Sequence, residues 1–330
     1  MSGERRYYRP LPGPGPARWR LAGGWTGFSG FEVLARGRPP EHCDEAPADI
    51  LAALAAPRAP LAGLTMDRPR IMGIVNATPD SFSDGGQYDP AAQAEALLDA
   101  GADLLDIGGE STRPGATEVP VADEIARVLP VLRAVAGHTL LSVDTRKAEV
   151  AEAALSAGAG MINDVSGFDF DTDLPGVAAR AGVPVCLMHA QGLPADMQDD
   201  PRYGDVVLDV YDALEARIAR AEAAGIPRRR IIVDPGIGFG KTEAHNLAIL
   251  RRISLYHGLG CPILLGVSRK RLIGSIGDSP VATGRGPGTL ALTLAAVAQG
   301  VQIHRVHDVA QIRQGLRLWQ AVTNNDEAGT

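Results

Sequence analysis

The chain is short of positive charge, of cysteine and of long apolar runs, and each shortage removes a class of function. Its 32 lysines and arginines are outnumbered by 39 aspartates and glutamates, giving a formal net charge of −7. No general attraction to nucleic acid follows, and an anionic ligand must be held by a local site. The three cysteines, Cys43, Cys186 and Cys261, lack both disulfide-framework numbers and metal-ligand spacing. They read as small buried residues of a protein in a reducing compartment. No stretch reaches the roughly 18 apolar residues of a bilayer-spanning helix. The start, Met1 to Pro10, is charged with no apolar core behind it, so the expectation is an unprocessed cytoplasmic protein with no membrane partner.

What is present is enough hydrophobic material, 45% of 330 residues, for a sizeable core in one main domain of about 250 residues. Residues 1–68 differ from the rest. Pro and Gly crowd Pro10 to Pro16, and an Ala-rich piece runs from Ile50 to Leu64. This predicts an extension packed on a domain, with a short helix near Asp49 to Ala56 that Pro57 ends. Residues 69–322 form the main domain, and 323–330 are expected to be a disordered tail.

From Arg70 onward a short Ile/Val/Leu run, a polar or Gly-rich piece and an amphipathic stretch of helical length recur. That alternation predicts parallel strands joined by helical crossovers. The strand candidates are Ile71 to Val75, Leu104 to Ile107, Leu140 to Val143, Met161 to Ile162, Val183 to Met188, Ile231 to Val233, Ile263 to Val267 and Val301 to Val306. Eight such units fit a closed (β/α)8 TIM barrel, an α/β fold, better than a doubly wound open sheet. The open sheet also lacks its usual companion, since no Gly-x-Gly-x-x-Gly follows the first strand.

Nearly every run hands over at its C-terminal end to polar residues: Asn76, Glu110 to Arg113, Asp144, Asn163 with Asp164, His189, Asp234, Ser268 to Lys270, and Arg305 with His307. Parallel strands of a barrel open on one face, so these residues are expected around one mouth, the active site. Arg305 and His307 end the eighth strand just before a helix read over Asp308 to Leu318, the corner that barrels favour for phosphate. Asp144, Asn163 and Asp234 come from three strands. A carboxylate there can accept two parallel hydrogen bonds from a ring N–H and an exocyclic amine, the edge of a pterin or guanine. By spacing alone, metal binding or helix capping accounts for any one of them equally well. Two long polar loops, Thr78 to Tyr88 and Gly108 to Thr117, read as lids at the mouth, with Phe82 suited to pack on a ligand.

Gly236 to Thr242 ends in Gly-Lys-Thr after a strand, yet it is not a nucleotide-binding loop. Pro235 occupies the position where a phosphate-cradling loop needs its first glycine.

Taken together the segments resemble dihydropteroate synthases. They are IMGIVNATPDSFSDGG from Ile71, DIGGESTRPG from Asp106, SVDT from Ser142, INDV from Ile162, LMHAQG from Leu187, VDPGIGFGK from Val233, GVSRK from Gly266 and RVHDV from Arg305. The resemblance spans about residues 70 to 320. It implies condensation of 6-hydroxymethyl-7,8-dihydropterin diphosphate with 4-aminobenzoate, with Mg2+ as cofactor, a homodimer, and a target for sulfonamides that mimic the aminobenzoate. It also implies that Asp144, Asn163, Asp234 and Lys270 hold the pterin, with Met188 and Phe239 lining its ring. Arg305, His307 and Asn76 would receive the diphosphate, Asn76 also touching the metal. Phe82, Thr112, Arg113 and Pro114 would form the aminobenzoate site. Of these, Asp144, Lys270, Arg305 and His307 are the implied catalytic residues.

The sequence departs from the family pattern at Arg271, where many relatives carry Ser beside the benzoate carboxylate, and in its N-terminal extension. Three other classes share part of this pattern. A corrinoid-linked methyltransferase holds a folate pterin in a similar barrel, but lacks these two loop motifs and the Ser-Arg-Lys triplet. A pterin-binding paralogue without catalysis would be expected to have lost more than the Ser at 271. A phosphosugar barrel enzyme would need a Schiff-base lysine.

Overall fold

The computed structural model describes residues 5–13, 17–78, 89–111, 116–192 and 199–323. The chain opens with four short strands, β1 Tyr7–Pro12, β2 Trp19–Arg20, β3 Gly27–Leu34 and β4 Glu41–Cys43, then helix α1 Ala48–Ala55. Next come β5 Arg70–Asn76, α2 Pro90–Asp99, β6 Leu104–Gly108, α3 Val121–Ala134, β7 Leu140–Asp144, α4 Ala148–Ser156, β8 Met161–Asp164, α5 Leu174–Ala181 and β9 Val185–Met188. The last third holds α6 Val206–Ala223, β10 Ile231–Asp234, α7 Glu243–Arg251, β11 Leu264–Leu265, α8 Arg271–Ile276, α9 Gly286–Val297, β12 Ile303–Val306 and α10 Val309–Thr323.

Strands β5 to β12 form one parallel sheet in the order β10-β9-β8-β7-β6-β5-β12-β11. It closes where Val233 bridges Ile263 in parallel, with the Val233 N–H donating to the Pro262 carbonyl at 3.0 Å. The alternation of apolar runs and helices therefore resolves into a (β/α)8 barrel. Each of the eight runs read from the sequence overlaps a strand; β5, β6, β7, β8 and β10 extend a residue or two beyond their runs, while β9, β11 and β12 are shorter, with Pro184 preceding β9 and Pro262 and Gly266 near the ends of β11.

Side chains alternate between two cores, as the two-residue period of a strand requires. One phase, including Ile71, Leu105, Val143, Ile162, Leu187, Val233 and Val306, packs outward against the helices. The other fills the interior with Met72, Leu104, Met161, Cys186, Ile232, Leu264 and Ile303. Leu61 and Met66, from the segment before β5, complete this inner cluster and plug the N-terminal end of the barrel.

The N-terminal extension is more ordered than its Pro/Gly content suggests. The helix read near Asp49 to Ala56 is α1, but the small antiparallel sheet with β3 at its centre was not foreseen. Pro10 and Pro12 argue against a strand, yet β1 lies at the sheet edge with an irregular register between them, where proline is tolerated. Its core is Leu21, Phe28, Phe31 and Leu54. The sheet sits on the barrel's flank. Tyr7 donates to Asp212 of α6 at 2.9 Å, the Trp25 indole donates to the Val297 carbonyl at 2.9 Å, and Glu32 accepts from both Arg9 and Arg252.

Among the described residues no helix is long and apolar enough to cross a membrane. Of the expected tail, Thr323 closes α10, and the rest lies outside the described residues.

Candidate active site

The mouth is built by strand phase. Two residues beyond the interior apolar layer, on the same inward face, stand Asp106, Asn163, Met188, Asp234 and Arg305, while Asn76 and Asp144 end β5 and β7 in that phase. They meet. Arg305 donates from Nε to Asp106 at 2.5 Å and from Nη2 to Asp144 at 2.7 Å, and the Asn163 amide donates to the same Asp106 oxygen at 2.9 Å. Gly108 lets them sit close, since a Cβ there would come 3.3 Å from that of Asp144 and push it aside by a few tenths of an ångström.

On the far side, Asp234 accepts the Gly236 N–H at 2.7 Å. Lys270, at the N-terminus of α8, donates to the Ile237 carbonyl and holds its Nζ 4.4 Å from the centre of the Phe239 ring. Met188 is buried and Phe239 half-buried. His307 is tied to Ser268 twice, through its backbone N–H at 3.1 Å and its Nδ1 at 2.9 Å.

Burial and charge set the ionisation. Burial pushes the Asp144 carboxyl up to about 8 against the pull of Arg305, and raises Asp234 against Lys270. Burial lowers Lys270 to about 8, opposed by Asp234. Burial would lower Arg305 as well, but Asp106 and Asp144 outweigh it, so the guanidinium is firmly charged. Asp144 Oδ1 and Asp106 Oδ1 have no hydrogen-bond partner among the described residues. An unmet buried acceptor costs about 1–3 kcal/mol, and a ligand N–H would recover it.

Not every polar strand end turns to the mouth. Asp164 and His189 stand in the outward phase. Asp164 is fully buried and accepts from the backbone of Ser166 and Phe168, both at 2.7 Å, so it shapes the turn after β8. The His189 ring faces Lys241 Nζ at 2.9 Å. Glu110 is drawn sideways into a buried network with Arg146 and Lys147, and Arg269 pairs with Asp308. Arg271 opens α8 and is exposed. Phe82, Thr112, Arg113 and Pro114 lie outside the described residues.

Two residues at this site escaped the reading of the sequence. Asp106 is 0% exposed and joins Arg305 to Asn163. It sits inside a strand rather than at its end, but a charge in the inward phase of Leu104-Leu105-Asp106-Ile107 was a signal that phase analysis could have used. The other is Lys241, inside the loop Gly236 to Thr242, whose sequence only excludes nucleotide binding.

The comparisons agree with this geometry. A family model described as pterin binding enzyme matches residues 72–307. A protein of Neisseria meningitidis serogroup C named dihydropteroate synthase is 49% identical over 268 residues, 79% of this chain and 95% of its own length. Among solved structures, Xanthomonas albilineans dihydropteroate synthase with 4-aminobenzoic acid is 48% identical with a TM-score of 0.76, covering 81% of this chain and 98% of that one. The same enzyme in complex with 7,8-dihydropteroate is 45% identical with a TM-score of 0.73 over the same shares, 81% and 98%.

Proposed function

This chain belongs to the pterin-binding enzymes and, among them, to the dihydropteroate synthases, and from that membership we infer how its own side chains carry the reaction. It condenses 6-hydroxymethyl-7,8-dihydropterin diphosphate with 4-aminobenzoate to give 7,8-dihydropteroate and diphosphate, in folate synthesis. The observation that supports the assignment of roles is the convergence of Asp106, Asp144, Asn163 and Arg305 at one mouth, with Asp234 and Lys270 beside them.

In this reading Asp144, Asn163 and Asp234 take the donor edge of the pterin, Lys270 a ring acceptor, and Met188 and Phe239 its faces. Asp106 joins them by holding Asn163 and Arg305. Arg305, His307 and Asn76 receive the diphosphate. Phe82, Thr112, Arg113 and Pro114 are assigned to the aminobenzoate.

The bond from the pterin methylene carbon to the diphosphate oxygen breaks ahead of full attack by the arylamine nitrogen, because the pterin ring delocalises the developing positive charge. Arg305 and His307 aim charge and hydrogen bonds at the leaving oxygens, an effect of about 3 kcal/mol per well-placed donor in comparable sites. Asp144 faces the developing cation. An arylamine is neutral near pH 7, so its proton leaves late and no strong general base is needed.

Asn76 offers one amide oxygen, and no group of three His, Cys, Asp or Glu suited to a metal occurs among the described residues. That donor set suits an ion that keeps most of its waters and arrives on phosphate oxygens. Mg2+ held by Asn76 and the diphosphate would supply further neutralisation of the leaving anion.

Two further assignments are proposed with this one. Cys43, Cys186 and Cys261 are free thiols, which supports a cytoplasmic location. A homodimer is supported by the exposed apolar residues Ile276 on α8 and Leu318 and Val322 on α10, 56%, 64% and 83% exposed. Sedimentation equilibrium distinguishes dimer from monomer.

The roles are tested by turnover of the pterin diphosphate with 4-aminobenzoate and Mg2+ by the purified protein. Asp234→Asn is expected to raise the pterin KM about tenfold or more with the fold intact, because an acceptor becomes a donor facing a donor. Absence of diphosphate release by the parent protein, or an unmoved pterin KM in the variant, defeats the assignment.

A further inference from the structure

Gly236 to Thr242, which closely follows Asp234 and ends in Gly-Lys-Thr, has no part in the reaction as written above apart from the Phe239 ring. In a phosphate-binding loop the backbone N–H groups converge on an anion. Here the polarity is reversed. Gly236, Gly238 and Gly240 lie at φ +67°, +83° and +61°, a left-handed backbone that glycine alone adopts without strain. The ammonium of Lys241, 3% exposed, is ringed by acceptors. Its Nζ lies 2.9 Å from the Gly236 carbonyl, 3.0 Å from that of Phe239, 3.2 Å from that of His189 and 2.9 Å from His189 Nδ1. Three N–H groups are shared among four acceptors, much as carbonyls replace the hydration shell of a desolvated monovalent cation.

The four acceptors around Nζ favour a charged lysine. Burial pulls its pKa well below the ordinary lysine value, Asp234 opposes the shift, and Lys270 and Arg217 add to it. Carbonyl dipoles, which favour the ammonium, add to that opposition. Burial and Lys241 together hold His189 down to about 2, so its ring is neutral and Nδ1 is free to accept. The loop is also pressed against the chain after β9. A Cβ at Gly236 would come 1.8 Å from the His189 carbonyl, and one at Gly240 2.3 Å from that of Gln191. Without a cation, carbonyls in this dry interior would face one another and the loop would relax outward.

We propose that Lys241 is a positioning residue, a tethered cation whose carbonyl cage fixes the loop from which the pterin site hangs. Three residues depend on that loop. Asp234 is oriented by the Gly236 N–H at 2.7 Å, Lys270 is held by the Ile237 carbonyl, and the Phe239 ring lies under Lys270. A second tether comes from α7, where Asn246 Oδ1 accepts the Gly238 N–H at 2.8 Å. The inference rests on the reading of Asp234, Phe239 and Lys270 as pterin contacts.

The test uses the full chain and reads the affinity for 6-hydroxymethylpterin by calorimetry, alongside KM and kcat for both substrates. Lys241→Ala is expected to weaken pterin binding about tenfold, with the 4-aminobenzoate KM unmoved. Methylammonium at millimolar concentration should restore binding to Lys241→Ala and not to Lys241→Met, whose side chain fills the cage without charge. Unchanged pterin affinity in folded Lys241→Ala overturns the proposal, and so does a loss that methylammonium leaves unrepaired. Should Lys241→Ala not fold, Asn246→Ala reads the same loop through its other tether: weakened pterin binding with an unmoved 4-aminobenzoate KM supports the proposal, and no change overturns it. Asp234→Asn separates the two readings. If it leaves pterin affinity intact, the site assignment fails; if it weakens binding while the Lys241 variants do not, only the tethered cation fails.

Discussion

Asp144 and Lys270 approach each other in pKa from opposite directions, both near 8, and this gives the pH profile a definite shape. In the proposed scheme Asp144 acts as a carboxylate, so kcat/KM for the pterin diphosphate should rise as pH climbs through its raised pKa. In the same scheme Lys270 acts as an ammonium, so the same quantity should fall as pH passes its lowered one. The expected profile is a narrow bell centred near 8, which reports the free enzyme. Asp144→Asn should abolish the acid limb and Lys270→Met the alkaline limb, with rates measured under first-order conditions. A limb that survives its own variant assigns that ionisation elsewhere. At this scale the sequence was a partial guide. Asp144, Asn163, Asp234 and Arg305 reach the mouth because they share the inward phase of their strands. Asp164 and His189, read alongside them, belong to the outward phase and were drawn into turn and cage. Asp106 went unread because it sits within its strand.

At the scale of elements, the roots of the second loop are clamped by buried charge. Lys147, just after β7, donates to Glu110 at 2.5 Å, to Glu124 of α3 at 2.7 Å and to the Val119 carbonyl at 2.6 Å, while Glu110 also accepts the Val119 N–H at 2.9 Å. Burial would raise Glu110, but Lys147, the Val119 N–H and Arg146 hold it below the usual carboxylate range. Both described ends of the loop thus converge on one ammonium. Lys147→Met leaves two buried carboxylates short of their counter-ion, and such a loss costs about 3–5 kcal/mol. Denaturant unfolding should show it as a lower midpoint with an unchanged slope. A shift below about 1 kcal/mol would mean that water replaces the lysine. Nothing in the sequence announced this network, since Glu110 stood among the residues expected at the mouth.

For the whole molecule, the N-terminal sheet is expected to act on stability and to leave the chemistry alone. Phe31 is 0% exposed in the sheet's own core, away from the mouth residues. Phe31→Ala is expected to cost about 3–5 kcal/mol, read as a fall in Tm, with kcat/KM at 25 °C unchanged. A catalytic defect without a fall in Tm would assign the extension a role in turnover. Tyr7, Trp25 and Glu32 join this sheet to the barrel by hydrogen bonds to Asp212, Val297 and Arg252. The alternation of apolar runs with helical stretches, and the polar residues at the strand ends, determined by themselves the barrel, its eight strands and the face that carries the site, because hydrophobic period and chain order are local properties. The tertiary structure alone decided which of those polar residues share a charge network, that a proline-rich extension pairs into a sheet, and that a glycine loop encloses a lysine. Each of these depends on partners far apart in the chain, where pairing and burial outweigh local preference.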